Sequence, residues 1–192
     1  MIDKNSTLEE VCFAVSGALS AHGMVAVLTG GSAAALYAPQ RYMSFDADFV
    51  LEADEPLESI VLALEIIGYK REGRSRIFSH GLSQLTIDFP KGPLAVAGDY
   101  IRQTATMTRG DMTLRILTRV DCVRDRLAHF YHWNDFTALN AAVSVAAAGI
   151  ADIDMDLLRR WTNREGSEYA VKFEEFTKRL DKALNSASQA KP

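Results

Sequence analysis

Residues 24–38 read "MVAVLTGGSAAALYA". A short unbroken apolar run with β-branched residues suits a buried strand. Two glycines then allow a tight backbone corner that side chains disfavour. The alanine-rich stretch beyond predicts a short helix, ended near Pro39. A strand that turns straight into a helix commits this part of the chain to a fold with both elements.

The neighbouring segments extend the pattern. Apolar residues recur at helical spacing over 7–22, with Thr7 and Glu10 matching a capping box and Gly23 a stop. "DADFVLE" at 46–52 alternates, with Ala47, Phe49 and Leu51 on one face and Asp46 and Asp48 on the other. "EPLESIVLALEIIGY" reads as an amphipathic helix with Pro56 at its first turn. "RIFSH" and "LSQLTIDFP" read as two strands joined around Gly81, and "TATMTRGDMTLRIL" as a hairpin turning at Arg109-Gly110-Asp111.

From Thr118 the periodicity becomes helical throughout. Val120, Val123, Leu127 and Tyr131 form one stripe, Asn134 or Asp135 opens the next helix, and Gly149 stops it. Two further helical segments follow, and "NSASQAKP" reads as a frayed tail. The expected organisation is an α/β region over 1–117 and an all-helical region over 118–192.

Composition narrows the function. A net charge of −4 excludes a generally basic nucleic-acid binder, though not a local basic groove. No apolar stretch is long enough to suggest a transmembrane helix, and the opening "MIDKNSTLEE" does not look like a secretory signal. Cys12 and Cys122, each in apolar surroundings, read as reduced core residues. A cytoplasmic protein is expected.

Asp46 and Asp48, at i and i+2 on a strand, project from one face. Asp88, in "LTIDF", points away from its apolar neighbours Ile87 and Phe89. If its strand lies beside that of Asp46 and Asp48, three carboxylates converge. Such hard oxygen donors suit Mg²⁺ or Mn²⁺ better than zinc. Ions of this kind act in pairs about 3.5–4 Å apart in nucleotidyl transfer. Gly30 and Gly31 would bring backbone N–H groups to a ligand's phosphates, and Ser32 could add a hydroxyl.

The order Gly-Gly-Ser, short helix, Asp-x-Asp and a third Asp on a later strand resembles the nucleotidyltransferase superfamily, with its DNA polymerase β-like fold. More narrowly, "GGSAAALYAPQRYMSFDADFV" resembles AbiEii/AbiGii-toxin-type nucleotidyltransferases and related uncharacterised bacterial families. "DCVRDRLAHFYHWNDFTAL" is similar to that group's basic helix followed by an Asp-bearing helix start, so the likeness spans residues 24–165.

The resemblance implies an α+β fold, with a mixed β-sheet flanked by helices and a C-terminal helical bundle. It implies transfer of an NMP from an NTP to an acceptor hydroxyl on RNA, tRNA or protein, in a toxin–antitoxin or phage-defence setting. It makes Asp46, Asp48 and Asp88 the Mg²⁺ (or Mn²⁺) ligands and catalytic acids. Gly30, Gly31 and Ser32 become triphosphate contacts. Two positions depart from the pattern: Ser44 replaces a common threonine, and Ala47 a bulkier apolar residue. A lysine expected on the helix is absent, and Arg124 and Arg126 stand there instead. Other outcomes are a nucleotidyltransferase-like binding or antitoxin module without turnover, or a small-molecule nucleotidyltransferase.

Each candidate has a plainer alternative. An isolated Asp-x-Asp is commonly a solvated strand face, and here the glycines and Asp88 shift the balance toward metal. Arg41, Arg74, Arg76 and Arg126 are candidates to neutralise phosphates, although Arg124 and Arg126 can also pair with Asp121 or Asp125. His129 and His132 lack partners at metal-ligand spacing, so "HFYHW" reads as an aromatic packing surface between the two regions. Tyr131 and Trp133 could instead line an acceptor or base pocket. Asp135 reads first as a helix cap.

Overall fold

The computed structural model describes residues 2–39 and 41–189, without the side chains of the last two. Helix α1 (Leu8–Ala21) opens on the expected capping box, in which Thr7 Oγ1 accepts from Glu10 N and Glu10 accepts from Thr7 N. Strand β1 (Ala26–Thr29) runs directly into α2 (Gly30–Tyr37). β2 (Asp46–Leu51), α3 (Leu57–Glu65), β3 (Tyr69–Arg71), β4 (Ile77–His80) and β5 (Ser83–Asp88) follow. A two-stranded excursion, β6 (Ala95–Val96) with β7 (Asp99–Tyr100), precedes the hairpin of β8 (Thr104–Arg109) and β9 (Met112–Leu117).

Seven strands form one sheet in the order β3-β4-β5-β2-β1-β9-β8. β1 pairs antiparallel with β2 and parallel with β9, and β2 pairs parallel with β5, so the sheet is mixed. Every described element after β9 is helical: α4 (Arg119–Trp133), α5 (Phe136–Ala148), α6 (Met155–Glu165) and α7 (Ala170–Gln189), with two short 3₁₀ turns between them. The fold is therefore α+β, a mixed sheet flanked by helices and followed by a helical bundle. No described helix is long and apolar enough to cross a membrane.

Local chemistry explains the boundaries. Thr118, Asp135 and Asp154 cap α4, α5 and α6 by accepting from backbone N–H groups of the first turn. Asn134 ends α4 in the left-handed region (φ 53°), so the two candidates for opening α5 divide into a stop and a start. Lys172 of α7 donates to the Phe130 and Tyr131 carbonyls in the last turn of α4, adding to the bond that Phe130 O already accepts from Asn134 N. Helix α7 continues through Asn185–Gln189 where a frayed tail was expected, while 190–192 lie outside the described residues. Cys12 and Cys122 are buried free thiols, and burial pushes both thiols up.

Two features escape the periodicity of the sequence. Val50 lies on the acidic side of β2 yet is buried, because residues 90–95 fold over it and a Cβ on Gly92 would lie 3.8 Å from its Cγ1. That segment leads into β6 and β7, which are too short for alternation to reveal. Asp99 ties the excursion to the helices. It accepts from Arg124 of α4 and from Arg164 of α6 (2.7 Å), while Arg124 also donates to Asp121 (2.8 Å). Arg124 is only 8% exposed, so losing one of its two carboxylates leaves a poorly solvated charge under-compensated. Asp99→Ala is expected to lower stability by about 2 kcal/mol, read as a lower denaturation midpoint. Asp111→Ala, on the β8–β9 turn, is expected to leave it unchanged.

Candidate active site

The corner between β1 and α2 positions the site. Gly30 has φ +66°, and a Cβ added there would meet Asp48 Oδ2 at 2.2 Å. Glycine is therefore required twice, for the left-handed backbone and for the closeness of the carboxylate. Gly31 is nearly as crowded, since its Cβ would lie 3.0 Å from the Tyr42 hydroxyl and 3.3 Å from Ser44 Oγ. The register Thr29↔Asp48 across β1 and β2 brings corner and carboxylate together. Thr29 Oγ1 donates to the Asp48 carbonyl (3.2 Å) and holds the strand ends in place.

A cavity of about 530 Å³ opens over this corner. Gly30, Gly31, Asp46, Asp48, Arg126 and Lys91 are among its lining residues. Tyr42, Ser44, Asp125, His129 and Asp135 complete much of its polar wall. Asp46 and Asp48 thus share one face, as their spacing requires. Ser44 donates to Asp46 Oδ1 (2.7 Å) and orients that carboxylate.

Asp48 is the electrostatic centre. Burial first, then the charges of Asp46 and Asp88, push its carboxyl up from 3.8 to about 6, against the opposing pull of Arg126. Arg126 is 8% exposed. Burial works against its charge, but Asp125, accepting from its Nε and Nη2 (2.9 and 2.6 Å), outweighs that and raises its pKa. Burial and the neighbouring Arg126 lower the pKa of His129, so its neutral form is favoured.

The other candidates fall as follows. Asp88 is the in-register neighbour of Asp48 across the parallel β2–β5 pair. The expected strand adjacency is thus present, but full convergence is not: Asp88 is not among the cavity's lining residues. Among the described residues, no group of three or more His, Cys, Asp and Glu side chains could hold a metal ion. Like charges packed on adjacent strands repel, and the raised Asp48 carboxyl reflects that repulsion.

Ser32 is fully buried. Its hydroxyl donates to the Thr29 carbonyl (2.9 Å) and accepts from Asp48 N (3.4 Å), bracing the corner from behind. Arg41 is exposed and outside the lining. Arg76 donates to the Phe89 carbonyl, Arg109 pairs with Glu10, Arg124 turns to Asp99 and Arg74 is exposed, and among the described residues Arg126 is the one arginine in the lining. Asp135 caps α5, as expected. Tyr131 is buried inside the helical region, between Trp161 and Tyr169, and donates to or accepts from Thr162.

Sequence reasoning missed Tyr42, Asp125, His129 and Lys91 as lining residues. Lys91 had a readable signal, "DFPKGP", in which proline and glycine hold the lysine in a tight connection just after the third acid.

Known structures share this architecture. An antigenic nucleotidyltransferase-like protein from Paracoccidioides brasiliensis aligns with a TM-score of 0.57 at 15% identity, covering 74% of this chain and 77% of that one. The antibiotic-resistance factor ANT(2'')-Ia aligns with a TM-score of 0.54 at 12% identity, covering 88% and 98%. The chain has a nucleotidyltransferase-like fold of the polymerase β type. No protein-family model and no curated protein matches it.

Two outcomes follow from the corner. Gly30→Ala is expected to destabilise the protein by more than about 1 kcal/mol and to rotate the Asp48 carboxylate out of the cavity, with Gly31→Ala milder on both counts. The folded state of wild-type protein holds the Asp48 proton more tightly than the unfolded chain. Stability contributed by that proton is complete below about pH 4 and lost as pH rises through about 6. Asp48→Asn should remove this loss, raising stability at pH 7.5 by on the order of 2 kcal/mol, with little change at pH 4. Paired denaturation curves at the two pH values read the difference.

Proposed function

We propose that this protein is a divalent-metal-dependent nucleotidyltransferase that moves an NMP group from an NTP to an acceptor hydroxyl. The observation that carries the proposal is the meeting of the Gly30–Gly31 corner with Asp46 and Asp48 across one cavity. Backbone N–H groups at the start of α2 suit phosphate oxygens, and the carboxylates suit hard cations. Asp46 and Asp48 would hold such an ion, while Asp88, beside Asp48 on β5, stays outside the cavity's lining. A bound Mg²⁺ or Mn²⁺ would supply Lewis acidity toward the α-phosphate.

The chain's own groups do the rest. The corner amides hold the β- and γ-phosphates, and Arg126 and Lys91 offset their charge. The acceptor's hydroxyl proton goes to water in the cavity, because Asp88, expected in that role, lies outside its lining. The acceptor oxygen bonds to the α-phosphorus, the bond from that phosphorus to the bridging oxygen breaks, and pyrophosphate leaves. The lysine expected on the helix is absent, but Lys91 lines the cavity from a loop, which supports turnover over a non-catalytic binding or antitoxin module.

On the acceptor, two observations bear. The arginines are dispersed, which disfavours a long RNA and leaves a protein or a small molecule. ANT(2'')-Ia, an antibiotic-resistance factor, aligns over 98% of its own length with this chain. The small-molecule reading is therefore the second proposal. Kinship with the AbiEii/AbiGii-type enzymes and a cytoplasmic toxin–antitoxin setting rest on the quoted motifs alone.

Incubation with each α-labelled NTP, Mg²⁺ and either cell protein, RNA or a small-molecule fraction is expected to move label onto an acceptor and release pyrophosphate. Asp46→Ala and Asp48→Ala are each expected to reduce transfer by at least about 10³-fold while the protein stays folded. A wild-type melt unmoved by NTP plus Mg²⁺ would falsify the proposal.

A further inference from the structure

Trp133 closes the last turn of α4 and is 69% exposed. Its described ring neighbours are His129, with centroids 5.0 Å apart, and His132. A tryptophan held that openly contributes little to the core. Tyr131, two residues earlier, is by contrast 2% exposed and stacked on both faces.

Its position relates it to the cavity. Residues 126, 129 and 133 recur at i, i+3 and i+7 and share one helix face. Arg126 and His129 line the cavity. After Trp133 the chain turns at left-handed Asn134, and Asp135 lines the cavity again. Trp133 is itself outside the lining but is bracketed in sequence by lining residues. Seven residues of helix place it about 10 Å along the axis from Arg126. A nucleotide spans a comparable distance from its phosphates to its base.

We propose that Trp133, braced by His129, is the stacking platform for the nucleobase of the bound NTP. The inference rests on the nucleotidyltransferase reading and adds to it the subsite that receives the base. A flat aromatic face beside a phosphate cradle matches a base better than a protein partner, which would call for a continuous apolar patch. Every base has a π-face, so all four NTPs bind, and the larger purines bind more tightly.

The chain has two tryptophans, and Trp161 is 1% exposed, so nucleotide quenching of tryptophan emission reports on Trp133. Titration with ATP and Mg²⁺ is expected to quench that emission, and with CTP to do so at higher concentration. By calorimetry, Trp133→Ala should bind ATP about tenfold more weakly, Trp133→Phe should recover most of the loss, and inorganic triphosphate should bind wild type and Trp133→Ala alike. The side chain is exposed, so folding is not at stake. Equal ATP affinity in wild type and Trp133→Ala overturns the inference and leaves the nucleotidyltransferase reading standing. Equal weakening of ATP and triphosphate also overturns it, because Trp133 would then act by shaping the pocket. Failure of wild type to bind either ligand overturns both.

Discussion

The contact between Gly30 and Asp48 is the constraint on which the rest of the site depends. A carboxylate this close to a backbone corner leaves no room for a Cβ. It also places Asp48 where burial and two neighbouring acids make its charge costly. The closeness follows from one register, Thr29 opposite Asp48, and Ser32 reinforces it from the buried side by bonding both strand ends. The amides that open α2 and the carboxylate oxygens of β2 are thus two sides of one backbone junction.

Charge elsewhere is arranged so that few cations compete at that junction. Arg124 and Arg126 are both mostly buried on α4, yet they serve different ends. Arg124 clamps Asp99 and so anchors the excursion whose earlier residues cover Val50 and carry Lys91 into the cavity. Arg126 is neutralised by Asp125 and lowers the cost of the Asp48 charge. One arginine thus supports the wall of the cavity and the other tunes its floor.

Local signals in the sequence were informative where a few adjacent residues decide the outcome. The corner at Gly30, the alternation of β2, the capping box at Thr7 and the turn at Gly110 are visible because backbone preference and side-chain periodicity act over short spans. The adjacency of the β5 and β2 strands was conditional on a pairing the residues alone could not fix, and the parallel register put Asp88 beside Asp48. The β6–β7 excursion was invisible because two-residue strands have no period to read.

Order along the chain was enough to specify a glycine corner facing two carboxylates, and an all-helical run after Thr118. It did not say which basic groups reach them. Positions 124 and 126 differ by about 200° around a helix, so the packing of α4 against α5 and α2 decided that Arg126 faces Asp48 and Arg124 faces Asp99. Lys91 enters the cavity because a loop folds over Val50, and Trp133 is left exposed because α4 ends one turn beyond His129. These placements arise from contacts between segments far apart in sequence, which local preferences do not encode and tertiary packing alone sets.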